Sequence, residues 1–461
     1  MWHEQGERDT RDGIDQRPDP AWAWRRYDPD EGRPWNVARA AHLWRRAGFG
    51  ATWSELERAL ADGPQRTVDR LLEPGSDVAA FNSRYDEYEA ASGSVETLRA
   101  WWLRRMIQTP QPLLEKMTLF WHNHFALSAS RVNDPRLMLG YIQRLRRHAL
   151  GRFGTLLADV AGNPALLVGV GAEANRKAMP NDQLARHLLE RLTVGPGHFR
   201  GEDVREAARA LTGWFVLRGR LRFIAREHDP GVKTILGQQG RWGRDDVVRI
   251  VLKPPAAARL LVRKLYRWFV SEADEPDDTL LEPLVERLAH SYDVRWVVET
   301  ILRSNWFFSP MAYRRRVKSP VEFALGIVRG LEGMVGTVEL GAQLAALGQD
   351  LCRPPTLDGW QGGRWWLNSA TMIGRGRLAA ALLSDEEPYS GRLDPLAVAR
   401  SYGHHGREAA VKFLIDLFLQ QDLDGLAGPQ VAAGGPADAD PAAGVRRAAH
   451  RIFTLPEFQL A

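Results

Sequence analysis

Cysteine is almost missing from this chain. The single thiol, Cys352, excludes an intramolecular disulfide, so packing and polar pairing must hold 461 residues together. Lysine is scarce as well. Only seven of the 62 basic residues are Lys, at 116, 177, 233, 253, 264, 318 and 412, and the rest are Arg. No stretch approaches the roughly 18 consecutive apolar residues of a membrane-spanning helix. No apolar segment follows a basic start in residues 1–34, so no secretory signal is read and a cytoplasmic location is expected. Walker and dinucleotide glycine patterns are absent, and Ser128 and Ser130 lack a nucleophile-elbow context.

What is present points to a large packed body. Hydrophobic residues make up 44% of the chain and Trp occurs 17 times. That is enough apolar surface for a sizeable core with Trp anchors, whose N–H groups need partners. The formal charge is +5, but acidic residues are interspersed almost everywhere, so nucleic-acid binding is not expected. The densest basic run, Arg314-Arg315-Arg316 with Lys318, is read as a solvated helix end or loop.

Residues 1–34 read as a mobile leader, with Trp22 and Trp24 available to pin it to the body. From 35 to 425 helical periodicity dominates. A helix over 37–47 stops at Gly48. Thr52 and Glu55 form a capping box for a helix that Asp62-Gly63-Pro64 ends. Residues 95–108 are helical. Pro112 opens the next helix, with Leu113, Met117, Phe120 and His124 on one stripe. Residues 182–194 read as one amphipathic helix, and Asp203 with Glu206 opens another. The stretch 214–224 changes period and predicts a hairpin turning at Arg218-Gly219. A Pro/Gly/Trp loop covers 353–366. Residues 426–441 read as a Gly/Ala/Pro linker and 442–461 as a C-terminal helix packing back on the body. The expected fold class is mainly α: a large multi-helical, bundle-like fold with a minor β-hairpin.

Several blocks occur together in order. They are H-L-W-R-R-A-G-F-G at 42–50, W-H-N-H-F at 121–125, N-P-A-L-L at 163–167 and P-N-D-Q-L-A-R-H-L-L-E-R-L-T-V-G at 180–195. K-S-P-V-E-F at 318–323, G-Q-D-L-C-R-P-P-T-L-D-G-W-Q-G-G-R-W-W-L-N-S at 348–369 and L-P-E-F-Q at 455–459 complete the set. Through them, residues 36–461 resemble the bacterial domain-of-unknown-function 1800 family. The resemblance implies a mostly helical bacterial protein of unassigned chemistry. It also implies many exported relatives and a neighbouring sulfatase-like family that offers a protein partner. Members read asparagine–glutamate–asparagine, an aromatic, then Ala-Arg-Glu at the 181–187 helix start. Here these positions are Asn181, Asp182, Gln183, Leu184, Ala185, Arg186 and His187, so the last acid is a histidine.

The candidate site residues follow from type and spacing. His228-Asp229 precedes Pro230-Gly231 in a turn and is the best single acid–base or metal-ligand pair, with the downstream Lys233 as an anion-binding amine. Asp182, Arg186 and Glu190 are spaced to line one helix face behind Asn181, either as a charged cleft wall or as an ion-pair ladder. His124 shares an apolar stripe and needs a partner or a role. It and His122 diverge by about 200° on a helix, so they cannot share one ion. Trp360, Trp365 and Trp366 on the Gly-rich loop are candidates to stack on a glycan or hold a protein partner. The sequence names no metal and no cofactor. The expected function is a non-catalytic binding or assembly module with a polar, Trp-lined cleft built from 180–233 and 353–366. The alternative is a hydrolase, with or without a metal, using the His228/Asp229 turn. That alternative requires His124, Asp182 and His228 to converge.

Overall fold

Short polar side chains decide where the helices begin. In the computed structural model, which describes residues 19–73, 75, 77–86, 93–420 and 440–461, Thr52 and Glu55 exchange hydrogen bonds at 3.2 and 2.8 Å. Ser319 and Glu322 do the same at 3.3 and 2.8 Å. Asn36, Asp134, Asn163, Asp293 and Asp394 cap further helices by accepting from first-turn amides. Prolines 112, 135, 255, 320 and 441 occupy first-turn positions, where a missing N–H costs nothing.

The result is mainly α, with two small two-stranded antiparallel sheets among the described residues. Helices Pro112–Phe125 and Pro320–Gly330 are buried on nearly every side. The first packs against Val37–Ala47, Trp53–Leu72 and Pro135–Arg147, the second against Val95–Gln108 and Ser369–Leu383. Pro255–Phe269 packs on Asp278–Ser291 and Val294–Arg303. At the C-terminus, Pro441–Thr454 lies against Ser369–Leu383 and Arg407–Phe418. Two backbone hydrogen bonds, Lys318 N to Gln459 O and Ala461 N to Arg316 O, both 2.8 Å, tie the last residues to 316–318. No described helix is long and apolar enough to cross a membrane.

The predicted hairpin forms as Trp214–Leu217 paired with Arg220–Phe223, in the register Leu217 opposite Arg220. Its two-residue turn has positive φ at both positions, Arg218 at 53° and Gly219 at 70°, which matches the twist of the strands. A second hairpin, Lys233–Ile235 with Gln238–Gly240, turns at Leu236 (φ 48°) and Gly237 (φ 75°). It was not legible in the sequence, because three-residue strands show no alternation and Leu is not a turn residue.

Three expectations are revised. The helix beginning at Trp53 kinks at Gly63 (φ 78°, ψ 171°) but resumes from Pro64 and runs to Leu72. Residues 182–194 are not one regular helix: Asp182–Arg186 is α-helical and His187–Leu192 is a wider π-helical turn. Arg316 and Lys318 of the basic run are buried rather than solvated, because Arg316 pairs with Glu322 and Glu272, each at 3.2 Å, and Lys318 lies over the Phe458 ring.

Residues 1–18 of the leader and 426–439 of the linker lie outside the described residues. From residue 19 onward the chain packs on the body. Trp24 Nε1 donates to Leu280 O at 2.6 Å, Trp22 meets Trp306 edge-on, and Tyr27 is buried.

Two buried carboxylates in the core each gather two cations. Glu115 accepts from Arg105 Nε and Arg146 Nε, both at 2.7 Å, and from Trp102 Nε1 at 3.1 Å. Glu322 takes Lys116 and Arg316 together. Burial alone would raise its pKa, but the two cations outweigh burial and hold it far below the usual carboxylate range.

Candidate functional site

Three consecutive polar residues leave the helix Pro112–Phe125 in different directions, because each position is rotated by about 100°. His122 points inward. Its Nε2 accepts from Cys352 N at 3.1 Å, its ring sits edge-on to Trp102, and burial pushes its pKa down to about 4. Asn123 clamps the Trp loop like the edge of a strand: Oδ1 accepts from Trp360 N at 2.7 Å and Nδ2 donates to Trp360 O at 3.2 Å. This approach requires Gly359 (φ 76°), since a Cβ there would overlap Asn123 Oδ1 and its carbonyl. The loop is therefore fixed to the helix at Cys352 and Trp360.

His124 points to a different place. Its Nδ1 lies 3.0 Å from Lys264 Nζ, which also donates to Arg191 O at 3.3 Å. An ammonium only donates, so Nδ1 is the acceptor and the ring proton sits on Nε2, which is buried near the Leu192 backbone. His187 lies close by, buried, with both ring nitrogens lacking a partner in hydrogen-bond geometry. Burial, then Lys264, then His187 drive the His124 pKa well below the ordinary histidine value. Burial, then Arg191 and Lys264, push His187 down to about 4. Burial also lowers Lys264 to about 8, with Asp358 opposing and Arg191 adding to the shift. At neutral pH both imidazoles are neutral and the amine is charged. Arg191 is engaged by Asp358 of the loop. Lys264 makes no ion pair among the described residues.

His124, Lys264 and Asp358 border a cavity of about 190 Å³. Its polar wall includes His124, Lys264, Glu272 and Asp358, and its apolar wall Phe120, Trp268, Trp360 and Trp366. Glu272 Oε2 is buried without a hydrogen bond.

The sequence candidates fall in separate places. His124, Trp360 and Trp366 meet in the cavity, and the two tryptophans are only 7% and 6% exposed. Trp365 points outward at 72%. His228, Asp229 and Lys233 form their own knot beside Thr212. His228 Nδ1 lies 3.0 Å from Thr212 O, and Asp229 accepts from Arg209 Nε at 2.7 Å and Gly231 N at 2.8 Å. Lys233, buried, donates to Asp229 O and Gly231 O at 2.6 and 2.9 Å. Asn181 caps its helix, accepting from Gln183 N at 2.9 Å. Asp182 and Arg186 pair at 3.1 Å on the surface. The π-helical turn takes Glu190 off their face, and it pairs with Arg191 at 3.9 Å instead. No hydrogen bond or ion pair joins His124 to Asp182 or His228 among the described residues. Nor does any described group of three or more His, Cys, Asp and Glu have the arrangement to hold a metal ion.

A family model described as a protein of unknown function, DUF1800, matches residues 42–460. The chain belongs to the DUF1800 family. No curated protein and no solved structure matches it. Two of the blocks that carried the DUF1800 resemblance, 121–125 and 348–369, meet at this cavity, and Ser319 of the 318–323 block also lines it. Where the resemblance implies a glutamate, this DUF1800 member places the neutral His187 beside Lys264. Sequence reading missed Lys264 and Asn123 as cavity residues, and Arg191 as the residue whose carbonyl holds Lys264. Lysine rarity was the available signal, but it singled out Lys233, whose amine is consumed by backbone carbonyls.

Proposed function

We propose that the protein is a non-catalytic binding module that receives an anionic group in the cavity between helices Pro112–Phe125 and Pro255–Phe269 and the Trp loop. One observation carries this reading: Lys264 is held in place by His124 Nδ1 and Arg191 O, lines the cavity, and makes no ion pair among the described residues, Asp358 and Glu272 lying elsewhere in the wall. A half-buried ammonium without a counter-ion favours a carboxylate or phosphate arriving from solution. The hydrolase reading receives less support. His228 and Asp229 are occupied by Thr212, Arg209 and Gly231, and His124 is oriented by a cation rather than by the carboxylate that a general base would use.

The test is a thermal-shift and calorimetric titration with phosphate, malonate and citrate on the full chain, the Lys264→Met variant and a Lys233→Met control. Saturation at about 100 times Kd stabilises a folded protein by about 2.7 kcal/mol. Anion-dependent stabilisation that disappears in Lys264→Met and survives in Lys233→Met is expected. Absence of stabilisation by all three anions, or its persistence in Lys264→Met, would refute the reading.

A further inference from the structure

Outside the cavity, and sharing Arg267, Glu272, Arg316, Gln361 and Gly362 with it, lies an open groove of about 630 Å³. This is within the range of about 300–1,000 Å³ typical of clefts that hold small ligands. Five arginines and one carboxylate line it. Most of that charge is already committed. Arg316 is paired with Glu272 and Glu322, Arg314 donates to Leu419 O at 2.9 Å, and Arg267 pairs with Glu275 at 2.8 Å. Arg315 and Arg364 remain. Both are exposed, and neither side chain makes an ion pair or a hydrogen bond among the described residues.

Trp365, next to Arg364 in the chain, also lines the groove and is 72% exposed. Its exposure is imposed by its neighbours. Gly362 and Gly363 lie across Glu272 with φ of 77° and 56°, and a Cβ at 362 would come within 3.0 Å of Glu272 Oε1. The next residue, Trp366, is buried and its carbonyl is held by Thr371 Oγ1 at 3.0 Å. The short turn Gly363–Trp366 thus holds one indole outward on a fixed base. An indole left in water costs apolar exposure that a ligand would remove.

We infer that this groove is a second binding site, for a short acidic oligosaccharide. The apolar face of one sugar ring stacks on Trp365, and ring carboxylates are taken by the Arg315 and Arg364 guanidiniums. The planar fork of arginine matches a carboxylate in two parallel hydrogen bonds. Two free cations and one aromatic platform fit a ligand of a few rings with one or two carboxylates. Single-stranded nucleic acid calls for a run of aromatic platforms and a continuous basic track, and an extended acidic peptide would have no use for the flat indole. The inference does not depend on the cavity reading, since Arg315, Arg364 and Trp365 take no part in the cavity.

The experiment is calorimetric titration of the full chain with trigalacturonate, against neutral galactotriose, a thymidine oligonucleotide and a hexaglutamate peptide. The variants are Trp365→Ala, Arg315→Gln with Arg364→Gln, and Lys264→Met. All but the last alter exposed side chains, and circular dichroism checks that each variant folds. Trigalacturonate is expected to bind more tightly than the other three probes. Its Kd should rise about tenfold or more in Trp365→Ala and in the double Arg variant, the effect of losing one anchor, and stay unchanged in Lys264→Met. No binding of trigalacturonate, equal binding in Trp365→Ala or the double variant, or tighter binding of the oligonucleotide or peptide would overturn the inference. Loss of binding in Lys264→Met would move the ligand into the cavity and overturn the second site.

Discussion

The charged amine in the cavity wall makes a quantitative prediction. Lysine ordinarily titrates near 10.5, and burial holds Lys264 at about 8. Between those values the unfolded chain binds the proton and the folded chain does not, so stability rises with pH across this window. The penalty is complete below pH 8 and gone above about 10.5. At 1.36 kcal/mol per pKa unit, the change between pH 7 and pH 10 is about 2–3 kcal/mol. Lys264→Met removes the titration. It also removes the hydrogen bonds to His124 Nδ1 and Arg191 O, but that loss does not vary with pH in this range and cancels from the slope. The assay is urea unfolding of both proteins at pH 7, 8, 9 and 10, followed by circular dichroism and Trp fluorescence. The wild-type chain should gain about 2–3 kcal/mol on the variant from pH 7 to pH 10. A difference that stays flat within about 0.5 kcal/mol would show that Lys264 is solvated and would remove the argument for an anion in the cavity. Saturating anion, which favours the ammonium form, should flatten the wild-type slope.

Three further outcomes are expected. Glu115→Gln leaves Arg105 and Arg146 buried around a neutral amide and should destabilise the chain by about 3–5 kcal/mol in urea unfolding. Gly359→Ala places a methyl group on Asn123 and forces a positive φ on alanine; the Trp360 amide should lose hydrogen-exchange protection while the helical signal is retained. Cys352 is fully buried and its thiol is pushed up to about 12 by burial, so Ellman's reagent at pH 7.5 should react with it in urea and leave the folded protein unmodified.

Elements whose signals are local were legible. The Val95–Gln108 and Val294–Arg303 helices begin and end where their caps and apolar spacing put them. The Arg218-Gly219 turn forms because two residues with positive φ suffice to define it. The π-helical turn at His187–Leu192 had no such signal, since its apolar spacing is equally good for a regular helix. The three tryptophans of the loop show the limit for the site. Trp360, Trp365 and Trp366 are equivalent in composition, yet two are buried and one is held out, because Asn123 grips the backbone at 360 and the chain turns through positive φ at Gly362 and Gly363 beside Glu272.

By itself, then, the sequence determined the helical class, the bounds of several helices, one hairpin and membership of the DUF1800 family. Each of these rests on residues within a few positions of one another or on blocks in a fixed order. The tertiary structure alone decided which polar residues share a cavity. His124 and Lys264 are 140 positions apart in the chain, and Arg191 and Asp358 are 167 apart. The charge state and free valences of such groups depend on burial and on neighbours that packing supplies, and periodicity carries no record of either. His228 and His124 look alike in a list of candidates. The fold gives one a backbone carbonyl and its own turn, and the other a desolvated ammonium at the edge of a cavity.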